Sequence, residues 1–150
     1  MDTQTDLVVR KSVTVPLSRE AAFRLFTEEL GSWWPVDTHS IAESGRVEAR
    51  MDGRVGGQIF EQTPTGSEPW GTITAWDPPA SFTTTWHPGY DSALATQLTV
   101  RFTVHGPITT RVELEHRGWE VHGATAAERV TGYDSGWDTV LGQFAKRAGG

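Results

Sequence analysis

From Thr110 to Trp119 the chain alternates: Val112, Leu114 and His116 share one face, and Arg111, Glu113, Glu115 and Arg117 share the other. A period of two with one polar side predicts a strand in a sheet that is wet on one face. Past it, Ala126, Val130, Tyr133, Trp137, Val140, Leu141 and Phe144 recur at spacings of three and four and form one broad apolar stripe. A long helix bearing such a stripe after an antiparallel sheet has to lay it on the sheet's apolar face. Upstream, Gln97–Val104 is the cleanest strand, with Leu98, Val100, Phe102 and Val104 expected inward.

The remaining elements follow from turn chemistry. Leu7–Val15 predicts a first strand. Ser18 then caps a helix, Glu20 sits favourably against its dipole, and Ala22, Phe23, Phe26, Leu30 and Trp33 give it a periodic face with a break near Gly31. Pro35 stops it, and Val36–Gly45 predicts a loop of lid or rim type. Strands are expected at Arg46–Met51, Gln58–Gln62, Trp70–Trp76 and Ser81–His87. They are separated by Asp52-Gly53 with Gly56-Gly57, by a Thr63–Ser67 loop and by Asp77-Pro78-Pro79-Ala80. Pro88–Ser92 begins another loop, and His105-Gly106-Pro107 turns the chain into the alternating strand described first. Short connections make consecutive strands antiparallel neighbours. The expected architecture is α+β: a curved antiparallel sheet of about seven strands around a long C-terminal helix. At 150 residues it fits one domain spanning 1–150.

Composition narrows the function classes. A net charge of −6 with scattered Lys and Arg argues against a nucleic-acid surface. With no cysteine, disulfides, thiolate catalysis and Cys-built zinc sites are excluded. No leader pattern and no apolar run long enough to span a bilayer are visible, so the expected location is the cytoplasm. The five histidines His39, His87, His105, His116 and His122 make neither His-x-x-x-His nor His-Glu-x-x-His, so no metal and no cofactor are expected. There is no phosphate-cradling Gly-x-x-x-x-Gly-Lys-Ser/Thr loop and no Gly-x-Ser-x-Gly turn; ATP hydrolysis of the P-loop type and serine nucleophile chemistry are not expected.

Seven tryptophans beside two tyrosines exceed what packing alone asks for. They either fill the core or line a common pocket, since aromatic side chains dominate small-molecule sites. His116 inherits an inward face, as a core histidine bonded to a neighbour or as a polar anchor or base. Glu61 faces inward if Ile59 does and outward if Phe60 does instead. An inward carboxylate needs a partner, for which His116 and Arg50 are the candidates. Gly132 and Gly136 in the last helix have two readings, close approach of a strand or room for a ligand. Glu128, Asp134 and Asp138 fit a solvated helix face.

Several stretches carry a family resemblance. They are Pro16–Phe23, Gly56–Glu61, Trp70-Gly71-Thr72-Ile73 with Trp76-Asp77-Pro78-Pro79, Glu113–Glu120, and Tyr133–Leu141. In this order they resemble the SRPBCC, or START-like, superfamily, in the branch similar to the C-terminal domain of the activator of Hsp90 ATPase. The resemblance implies a helix-grip fold with a cavity between sheet and helix that often takes apolar ligands. The expected function is binding of a small apolar or aromatic molecule. The walls would be Trp34, Trp70, Trp86, Phe102, Tyr133 and Trp137, and the polar anchors Glu61 and His116, expected to meet. The alternatives are a co-chaperone-like module with a protein partner, tied to stress response, and a cyclase- or hydrolase-type enzyme built on Glu61 and His116. Either a monomer or a homodimer fits.

Overall fold

The computed structural model describes residues 7–34, 48–64, 66–88 and 91–149. The expected lid at Val36–Gly45, with Pro35 and His39, lies outside them. In chain order the elements are β1 (Val9–Val15), α1 (Arg19–Thr27), β2 (Glu48–Met51), β3 (Gln58–Thr63) and β4 (Gly66–Asp77). They continue with β5 (Ser81–Trp86), β6 (Thr96–Gly106), β7 (Thr109–Arg117) and α2 (Ala126–Arg147). Short 3-10 turns occupy Leu30–Ser32, Ser92–Leu94 and Trp119–Thr125.

The strands form one sheet of order β1-β7-β6-β5-β4-β3-β2, every neighbouring pair antiparallel. It curls into a half-barrel around the long C-terminal helix, the helix-grip arrangement. Alternation decides which side chains enter: Ile59 and Glu61 from β3, Phe82, Thr84 and Trp86 from β5, Thr96, Leu98, Val100 and Phe102 from β6, and Val112, Leu114 and His116 from β7 are all buried. Strands β4 and β5 approach closely at Gly71, where a Cβ would stand 1.8 Å from the Thr85 carbonyl oxygen, so only glycine fits.

Helix α1 starts where Ser18 Oγ accepts from the Ala21 N–H at 3.2 Å. Its Phe23 and Phe26 pack edge-on against Phe102, with ring centroids 5.1 and 5.7 Å away. Gly118, at φ +86°, ends β7 and turns the chain so that Trp119 drops into the core, its indole donating to the His116 carbonyl at 2.9 Å. Helix α2 buries Ala126, Trp137, Val140, Leu141 and Phe144, with Val130 and Tyr133 half-buried beside them. Across its edge, Lys11 Nζ of β1 reaches Asp134 at 3.1 Å and Asp138 at 3.2 Å. Those two carboxylates therefore tie the helix to the sheet edge rather than only facing solvent.

Three expectations are corrected. Val104, placed inward by alternation, is 63% exposed: the β6–β7 pairing shifts register between Val104 and Gly106, at the tip of the hairpin. The Thr63–Ser67 loop is shorter than expected, because β4 already begins at Gly66 and pairs back to Thr63. Gly132 is exposed, and a Cβ there would meet nothing within 4 Å, so close approach of a strand does not explain it.

Candidate functional site

Four separate elements send indoles to one region inside the fold. Trp34 follows the Leu30–Ser32 turn, Trp70 comes from β4, Trp86 ends β5, and Trp137 lies on the buried face of α2. The Trp34 ring is 4.8 Å from Trp70 and 6.1 Å from both Trp86 and Trp137; Trp86 is 5.7 Å from Trp70 and 5.4 Å from Trp137. All four are buried. Tyr133, half-buried one helical turn before Trp137, packs with it and with His116. Phe102 does not join them: its ring contacts are with Phe23 and Phe26 of α1, so it belongs to the core beneath that helix.

Both expected polar anchors are fully buried. Trp70 Nε1 donates to Glu61 Oε1 at 2.8 Å, which resolves the alternation of β3 with Glu61 inward beside Ile59. Arg50 is not its partner: Arg50 registers with Phe60, Ala49 with Glu61, and the guanidinium lies on the outer face bonded to Glu48 at 3.1 Å.

His116 sits in a relay whose proton positions follow from donor chemistry. The Trp137 indole N–H only donates, and it points at His116 Nδ1 at 3.0 Å, so Nδ1 offers its lone pair. The ring proton is then on Nε2, which donates to Thr96 Oγ1 at 2.5 Å, and the Thr96 hydroxyl passes its own proton to the Trp86 carbonyl at 3.2 Å. The relay stitches α2 to β7, β6 and β5. Burial, with a lesser contribution from the nearby charge of His122, pushes the His116 pKa down to about 3.

This arrangement corrects the expected Glu61–His116 pair. Both histidine nitrogens are engaged, by Thr96 and Trp137. The strands that carry the two residues are also four sheet positions apart, with β4, β5 and β6 between them. A general base at His116 would first have to free the Nδ1 lone pair that accepts from Trp137, and Glu61 is bonded to Trp70 instead of to His116.

Thr96 and Trp119 were not anticipated as partners of His116. Thr96 had a legible signal, since it continues the inward series Leu98, Val100, Phe102 by one step. The indole of Trp86 is the other unanticipated feature. Trp33, Trp70, Trp119 and Trp137 each donate, to Leu25 O, Glu61, His116 O and His116 Nδ1. Trp86 Nε1 is buried with no acceptor among the described residues. A buried donor left without an acceptor costs about 1–3 kcal/mol.

Among the described residues no three His, Asp or Glu side chains group as a metal site requires. Among the described residues, a groove of about 390 Å³ opens on the outside beside Phe23, Trp76 and Pro79, and another of about 280 Å³ over Arg10, Arg101 and Arg111. None of the eight expected site residues lines either of them. No helix among the described residues is long and apolar enough to cross a membrane.

Sheet, gripped helix and aromatic interior together define a protein of the START-like class. The chain belongs to the family of activator of Hsp90 ATPase homolog 1-like proteins, whose sequence model matches residues 16–149. Among solved structures it is similar to an anthrahydroquino-γ-pyrone synthase, Txn09, at 30% identity over 93% of this chain and 95% of that one, with a TM-score of 0.61. CalC, a self-sacrificing resistance protein from Micromonospora echinospora, is also 30% identical, over 95% of this chain and 94% of its own, with a TM-score of 0.70. The Aha1 dimer from Colwellia psychrerythraea, 15% identical over 92% of each chain at a TM-score of 0.65, shares the fold. No curated protein matches.

Proposed function

We propose that this protein binds a small apolar or aromatic molecule between the sheet and α2, with Trp34, Trp70, Trp86 and Trp137 as walls and Tyr133 at the helix side. The observation that carries this reading is the convergence of those indoles from separate parts of the chain on one region, with neighbouring ring centroids 4.8–6.1 Å apart. Glu61 and His116 act in it as fixed polar groups that orient Trp70 and Trp137, not as a catalytic couple. The similarity to Txn09, a synthase of an anthrahydroquino-γ-pyrone by name, supports an aromatic ligand class.

Titration with a panel of apolar and aromatic probes tests it. Bound probe should change tryptophan emission and release heat in calorimetry, and Trp137→Ala should weaken binding by tenfold or more. Unchanged emission and no heat across the panel would remove the proposal.

A further inference from the structure

The unsatisfied indole N–H of Trp86 specifies the ligand more narrowly than apolar walls do. We infer that the ligand is a flat, uncharged aromatic carrying a carbonyl or ring oxygen, and that Trp86 Nε1–H donates to that oxygen. This rests on the binding reading above.

An indole N–H is a donor only, so its complement is an acceptor. Other inward donors near it are already engaged. The Thr84 hydroxyl donates to the Thr85 carbonyl at 2.8 Å, that of Thr96 to the Trp86 carbonyl, and the His116 Nε2–H to Thr96. The indoles of Trp70 and Trp137 are held by Glu61 and His116. Of the two buried atoms without a partner among the described residues, Arg19 Nε and Trp86 Nε1, Arg19 opens α1, while Trp86 is flanked by the rings of Trp34, Trp70 and Trp137. Flat rings pack against such faces. The charge of the ligand follows from the same inventory. Among the described residues the buried polar side chains are threonines, His87, His116 and Glu61, with no Lys or Arg. A carboxylate or phosphate brought there would be a buried anion without a counter-charge, beside a carboxylate. A neutral quinone-like or pyrone-like oxygen meets no such penalty.

The experiment compares 9,10-anthraquinone with anthracene, which have the same flat frame with and without the oxygens, on the full chain and on Trp86→Phe. The wild-type protein is expected to prefer the quinone by about tenfold, and in Trp86→Phe the ratio of the two affinities should fall to about one, whatever the change in affinity for anthracene itself. In 15N-labelled wild-type protein the Trp86 indole proton should move downfield with anthraquinone and not with anthracene. Equal binding of both compounds by the wild type, or a quinone preference that survives Trp86→Phe, overturns the assignment to Trp86 and leaves interior binding standing. Binding of neither compound, with no indole resonance shifted, overturns the binding reading and this inference together. Should Trp86→Phe not fold, the indole resonance of the wild type decides: a quinone-specific shift supports the assignment and its absence overturns it.

Discussion

A proton added to His116 would have no place to go except Nδ1, the atom that already accepts from Trp137, and it would put a cation among Trp119, Tyr133 and Trp137. The fold therefore resists protonation: the folded pKa is pushed down to about 3 from the ordinary 6.5. The sign of the pH effect follows. Below 6.5 the unfolded chain takes up this proton and the folded one does not, so stability from this group is full above 6.5 and drains as pH falls toward 3. Urea unfolding of the wild type between pH 7.5 and 5 should lose up to about 1.4 kcal/mol per unit below 6.5 on this account. His116→Gln, less stable at pH 7.5, should show a shallower pH slope; identical slopes would refute the assignment. The inward placement of His116 was legible from its alternation with Val112 and Leu114. Its partners were not, because Thr96 lies 20 residues before it and Trp137 lies 21 after it, and period-two reasoning says nothing about what crosses the sheet. Glu61 shows the opposite limit. A one-residue ambiguity in β3 was enough to leave its face open until Trp70 was seen bonded to it.

Helix α2 and strands β6 and β7 were legible because their periodicity runs long and each has one wet side. Errors gathered at ends, where no repeat remains to be read: alternation carried Val104 inward although the hairpin tip projects past the core, and turn residues hid the start of β4. Glycine in α2 misled differently. Spacing made Gly132 a candidate for close packing, yet its surroundings are open. Gly132→Ala should therefore stabilise the protein by about 0.5–1 kcal/mol, through lower backbone entropy in the unfolded chain and better helix propensity, as read from urea midpoints at constant m. A loss of stability instead would mean that the space beside Gly132 is needed. If that substitution stabilises the chain but weakens an aromatic probe, the opening belongs to the ligand's path.

At the scale of the molecule, the interior divides into two aromatic regions, one of phenylalanines under α1 and one of tryptophans under α2, joined through Trp33, Phe26 and Phe144. The division explains why Phe102 and Trp86, both inward on adjacent strands, serve different neighbourhoods. It was not legible because residue type and face were known, while the strand order that sorts them was only implied. That order has a consequence during synthesis. Of the strands in this sheet, β1 is made first and its partner, β7, last. Val15 must wait for a strand that begins about ninety residues later, roughly 5–20 s at ribosomal speed. Until then β1 hangs from the nascent chain without its ladder, and α2, which Lys11 holds through Asp134 and Asp138, does not yet exist. Nascent chains arrested before Thr109 should accordingly be cut by protease as fast as unfolded ones, with resistance appearing only after α2 clears the exit tunnel.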